Sequence, residues 1–210
     1  MDFTSVIEIG PVRTSLVELI AVFFGLLSVW YMRKESVLAY PTGAVNVLIY
    51  VYICFSTKLY AYSGINVFYF LMGLYGWYSW TRKSPGKGKL KITRCLAWEL
   101  IVYPLVFLFF FFFLRIMLVR MTDSVVPSWD AVTTAIYIIA MWLLARKKIE
   151  HWLLWIAGDV ISIGLFGYEN LWFSSFQYFV FTIMAVFGYI EWRRRLESPA
   201  REVISDEKLR

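Results

Sequence analysis

The chain has 210 residues, 60% of them hydrophobic, 20% aromatic and only 17% charged, with a net charge of +6 and a mean hydropathy of +0.63. A soluble domain of this length needs far less apolar surface, and the apolar residues fall in runs of about 17–25, the length that spans a bilayer. A soluble fold is therefore excluded, and the positive charge reads as membrane topology rather than as a nucleic-acid footprint.

Seven spans are predicted in chain order, at 15–31, 37–55, 62–80, 96–119, 129–145, 152–168 and 172–190. The N-terminal segment 1–14 has no basic stretch and no small-residue cleavage site, so the first apolar run is expected to be retained. Span one carries Glu18 about one turn inside its end. Span two presents Tyr40, Gly43, Val47 and Tyr50 on one face, with Asn46 beside them. Span three opens with Asn66 about one turn deep and closes on "GLYGWYSWTRK". The following "SPGKGKLK" lacks the spacing of a phosphate-binding loop and reads as a solvated basic linker. Span four holds the run "FFFFF" at 109–113, which suits lipid contact, while Glu99 and Arg115 are expected to snorkel. Span five begins near Asp130. Span six, "WLLWIAGDVIS" at 152–162, places Trp152, Trp155, Asp159 and Ser162 on one helix face. Gln177 enters span seven.

The first and last three spans match at an offset of 112 residues. Gly76 pairs with Gly188, Trp80 with Trp192, Trp30 with Trp142, Tyr40 with Trp152 and Glu18 with Asp130. The aligned "GLYGWYSWTRK" and "AVFGYIEWRRR" both end a third span. The expected architecture is an all-α integral membrane protein of seven transmembrane helices in a 3+1+3 parallel repeat. Residues 15–80 form the first unit, 81–128 the basic loop and linker helix, 129–192 the second unit and 193–210 a tail. Alternate loops and that tail hold 17 of the 21 Lys and Arg residues, which puts the C-terminus in the cytoplasm and the N-terminus outside. The four Trp at span ends (Trp30, Trp80, Trp142, Trp192) are expected as interfacial anchors.

An aspartate about 10 Å deep is costly in lipid and should face protein or a wet cavity. The candidate site therefore centres on Asp159 with Trp152, Trp155 and Ser162, opposed by Tyr40 and Asn46, with Asn66 and Gln177 as a second polar layer. Interhelical hydrogen bonding is the plainer role for Asn46, Asn66 and Gln177. Aromatic faces attract a cation by roughly 0.5–2 kcal/mol per contact, one carboxylate neutralises one positive charge, and amides suit a hydroxylated tail. The ligand expected is a small cationic heteroaromatic compound, and no nucleic acid, metal or cofactor. A distant alternative is an intramembrane aspartyl enzyme using Asp130 and Asp159, but these lie at different depths and Ile156 stands where the first Gly of GxGD would be.

Residues 40–80 and 122–192 resemble the Pnu vitamin transporters, whose members carry nicotinamide riboside, thiamine or riboflavin. The W-x-x-W at Trp152 and Trp155, the two "G-W/Y…W" endings and Asn66 carry the likeness. The resemblance implies a fold similar to SWEET transporters, and facilitated diffusion with trapping of the vitamin by a cytoplasmic kinase that acts downstream without stable binding. It also implies ligand contact by Trp152, Trp155, Asn66 and Gln177. The "FLMGLYGW" stretch lacks the Gln of nicotinamide riboside members, and "TDSVVPSWD" is closer to thiamine-type relatives. Thiamine uptake is accordingly the main expectation and nicotinamide riboside uptake its alternative, in a bacterial inner membrane, with a homo-oligomer compatible with the sequence.

Overall fold

A computed structural model of the chain describes residues 6–9, 12–56, 60–82, 90–122, 126–168 and 172–208. Val6–Ile9 (β1) and Val12–Ser15 (β2) pair as an antiparallel hairpin, with Val6 opposite Ser15 and Ile9 opposite Val12. The hairpin lies ahead of the membrane body, which is all-helical as expected. Seven helices follow among the described residues: α1 (Leu16–Arg33), α2 (Ala39–Ser56), α3 (Tyr60–Thr81), α4 (Glu99–Met121), α5 (Pro127–Ala145), α6 (His151–Tyr168) and α7 (Trp172–Lys208). Each begins within three residues of an expected span. The predicted tail differs: α7 continues unbroken through it, 37 residues in all, or about 55 Å.

Five helices among the described residues, α1, α2, α4, α5 and α6, are long and apolar enough to cross a membrane. α3 and α7 fall short of that measure for a compositional reason. α3 is rich in Tyr, Gly and Ser, and α7 opens with Trp, Ser, Gln and Tyr and ends in a run of charges, residues that score low on hydropathy.

The helices close a ring. In the order α1, α2, α3, α5, α6, α7 and back to α1, each packs on the next, while α4 packs mainly on α5. α5 is the most buried helix because it is caught between α3, α4 and α6. Its Ala131 and Ala135, one turn apart and fully buried, let Leu114 and Leu118 of α4 approach closely. Pro127 starts α5 at a position where its missing N–H has no partner to lose.

One end of the ring is tied by reciprocal contacts. α1 and α5 both end in a Schellman turn. Ser36 N–H reaches Tyr31 O and Glu35 N–H reaches Met32 O, and Lys148 and Lys147 repeat the pattern on Leu143 and Leu144. The left-handed residue of each turn is not Gly but a charge, Glu35 (φ 60°) and Lys147 (φ 51°), and these two form an ion pair across the ring. The indole of Trp80 donates to Leu144 O at 3.1 Å. That of Trp192 donates to Met32 O at 3.2 Å and Arg33 O at 3.1 Å. Residues 112 apart thus bond to partners 112 apart.

Two expectations are corrected here. Trp80 and Trp192 are not interfacial anchors, since they are 2% and 0% exposed, whereas Trp30 and Trp142 remain exposed at span ends. Glu99 does not snorkel. It is fully buried, accepts from Leu96 N–H at 2.7 Å, and pairs with Lys148 at 2.8 Å and Arg146 at 3.1 Å. Lys148 also donates to Arg94 O, so the start of α4 is stapled to the α5–α6 turn. Arg115 bonds Ser128 Oγ at 3.0 Å.

Candidate functional site

A cavity of about 440 Å³ lies inside the ring, within the range that encloses small organic ligands. Seven of the eight expected site residues line it: Tyr40, Asn46, Asn66, Trp152, Trp155, Asp159 and Gln177. Ser162 does not; it is 2% exposed, with its Oγ against the Tyr137 hydroxyl.

The floor of the cavity is made of two rings at related positions. Tyr40, in the first turn of α2, lies against Gly76 of α3, where a Cβ would come within 2.5 Å of the ring. Trp152, in the first turn of α6, lies against Gly188 of α7, where a Cβ would come within 2.6 Å. Both glycines are required by close approach. Beneath these rings, Trp80 and Trp192 cross them edge to face at 5.2 Å and 5.8 Å.

Asp159 is held from α5. Tyr137 Oη donates to Asp159 Oδ1 at 3.0 Å and lies 3.0 Å from Ser162 Oγ. With the phenol hydrogen on the carboxylate, Ser162 donates to the phenol. The same ring packs over Gly158, where a Cβ would meet it at 2.5 Å, and against Trp155 with centroids 5.0 Å apart. Tyr137 therefore positions both the acid and the indole.

Three buried polar atoms on the lining, Tyr40 Oη, Trp152 Nε1 and Trp155 Nε1, have no hydrogen-bond partner among the described residues. Buried donors are costly unsatisfied, and here each belongs to a cavity wall. Asn46, by contrast, gives its amide to Ala21 O at 2.6 Å and ties α2 to α1, the structural use weighed for it above. Glu18 also lines the cavity. The described lining thus holds two carboxylates, ten aromatic residues and no Lys, Arg or His.

Sequence reasoning missed Tyr137, Tyr69 and Tyr178, all on this lining. Tyr137 lies 22 residues before Asp159 on a different helix, so no local spacing links them. The one local trace is Gly158, the residue without a Cβ beside the acid.

A ring of apolar helices around an aromatic, acidic cavity is the architecture of a small-solute membrane transporter rather than of an enzyme. The description "Nicotinamide mononucleotide transporter" belongs to the family model that matches residues 15–194, and the chain belongs to that family. The nicotinamide riboside transporter PnuC of Escherichia coli (strain K12) is 28% identical over 91% of this chain and 94% of its own length. PnuC of Neisseria mucosa is 25% identical over 83% of this chain and 71% of its own. The riboflavin/roseoflavin transporter RibM of Streptomyces davaonensis is 23% identical over 89% of each. The crystal structure of the vitamin B3 transporter PnuC superposes with a TM-score of 0.67 at 22% identity, covering 85% of this chain and 80% of that one; that likeness speaks to the fold. The chain is a multi-pass membrane transporter of PnuC type, and the aspartyl-enzyme alternative falls. The thiamine-type expectation finds no support among these relatives.

Proposed function

We propose that the protein takes up nicotinamide riboside across a bacterial inner membrane, binding it in the ring cavity. The observation that carries this is the lining itself: aromatic walls and two carboxylates with no basic residue. A pyridinium ring meets stacking faces and a counter-charge there, whereas neutral riboflavin gains nothing from the acids. Thiamine is also a cationic ring, so the choice between the two rests on the relatives, among which are nicotinamide riboside transporters. Trp155, backed by Tyr137, offers the ring a stacking face, Asp159 faces its charge, and Trp152 Nε1 and Tyr40 Oη offer hydrogen bonds to polar groups. Asn66 and Gln177 suit the ribose hydroxyls.

All seven helices cross the membrane in this reading, as two three-helix units, 15–80 and 129–192, joined by α4 in the manner of SWEET transporters. The reciprocal bonds at an offset of 112 support it. One unit moves against the other around the cavity, and release is followed by phosphorylation in the cytoplasm, by a kinase that need not bind stably. The basic turns face the cytoplasm and the hairpin lies outside. A C-terminal fluorescent-protein fusion that folds only in the cytoplasm should fluoresce, and a dark, intact fusion would reverse the orientation.

The test is a tryptophan-fluorescence titration of the purified protein with nicotinamide riboside, thiamine and riboflavin. Saturable quenching by nicotinamide riboside that Trp155→Ala removes is expected. Saturation by thiamine alone would overturn the substrate while keeping the site.

A further inference from the structure

A second cavity, of about 400 Å³, opens among the basic turns at the tied end of the ring, and none of its lining residues also lines the ring cavity. Its charged lining is Lys34, Lys147 and Arg195 against the single acid Glu35, with Trp80 and Leu90 as an apolar wall. Glu35 is already neutralised, one oxygen by Lys147 Nζ and the other by Arg195 Nη1 at 3.4 Å. Lys34 is not: its ammonium sits 3.6 Å over the Trp30 ring and has no carboxylate partner among the described residues. Glu191 pairs with Arg195 at 2.7 Å and with Arg33 at 3.2 Å, so Arg33 and Glu191 together add one charge of each sign. The rim therefore keeps a surplus of two positive charges. Lys147, only 5% exposed, carries one of its charges in surroundings where water screens little.

We propose that this cavity binds a phosphate monoester with an apolar or aromatic body. A monoester carries a charge of about −1.5 to −2 at neutral pH, which matches the surplus; a carboxylate would leave one cation unmatched. Lys34 offers a mobile point charge to phosphate oxygens, while Arg195, held in place by Glu191 Oε1 at 2.7 Å and by Lys34 O at 3.1 Å, sets a fixed positive charge at the rim. Trp80 and Leu90 lie beside the charges, so an ester with an organic body gains contacts that bare phosphate does not. A soluble phosphate ester and the headgroup of phosphatidic acid share this chemistry.

Isothermal titration of the purified full-length protein with phenyl phosphate tests it, with neutral phenyl glucoside as control. One saturable site is expected, weakened at least tenfold by Lys34→Gln and by Arg195→Gln, and weakened further by added salt. Lys34→Gln breaks no ion pair among the described residues, and its response to nicotinamide riboside should match that of the unmodified protein. No saturable binding, equal binding of the glucoside, or indifference to Lys34→Gln would overturn the proposal. Repeating the titration in phosphatidylcholine nanodiscs with and without phosphatidic acid separates the sources. Binding of phenyl phosphate in both identifies a soluble ester as ligand, and loss only where phosphatidic acid is present identifies the lipid headgroup.

Discussion

Asp159 costs the fold something and gains its use from Tyr137. Its carboxylate is 2% exposed on a lining without cations, with a phenol as its hydrogen-bond donor. Charge and hydrogen bond can be separated by substitution. Asp159→Asn keeps shape and removes charge, and should weaken binding of the cationic substrate about tenfold or more, since bonds to a charged group are worth about 1.5–3 kcal/mol. Tyr137→Phe keeps the carboxylate and removes its donor, so a smaller loss of roughly 2–10-fold is expected from a net 0.5–1.5 kcal/mol. Equal affinities for Asp159→Asn and the unmodified protein in the fluorescence titration would remove the counter-charge from the mechanism. The acid was legible in the sequence because charge inside an apolar run is rare; the phenol was not, because its meeting with Asp159 is made by helix packing.

At the scale of the elements, α4 is fastened by a buried acid. Glu99 closes the first turn of α4 while holding Lys148 and Arg146 from the α5–α6 turn. Removing the acid leaves Lys148, 7% exposed, as a buried charge without its counter-charge, at a cost of roughly 3 kcal/mol. Glu99→Gln should therefore lower the melting temperature by about 6–12 °C at this chain length, and an unchanged thermal melt in detergent would show the staple to be idle. The helix ends teach the same lesson. Apolar run lengths placed the start of each helix to within three residues, but position at a span end did not distinguish Trp30, which stays exposed, from Trp80, which is buried. A neighbouring helix makes that difference, and run length carries no information about neighbours.

Across the whole molecule the two halves hold each other by equivalent bonds. Trp80 donates to the end of α5 and Trp192 to the end of α1. Trp80→Phe and Trp192→Phe each remove such a donation, worth about 1 kcal/mol. Each should lower the melting temperature by about 2–4 °C, and by similar amounts; a large inequality would argue that the halves are not mechanically equivalent. The sequence by itself determined the membrane class, the number and order of helices, the 112-residue correspondence and the polar residues lodged in apolar runs, since composition, run length and periodicity are properties of the chain alone. Only the tertiary structure decided that seven of the eight named site residues share one cavity and that Ser162 sets its Oγ against the Tyr137 hydroxyl. It also decided that Glu35 and Lys147, charges in left-handed turns 112 residues apart, close the ring on each other. Those are facts about which helix faces which, and interior packing settles them only when all the helices are assembled.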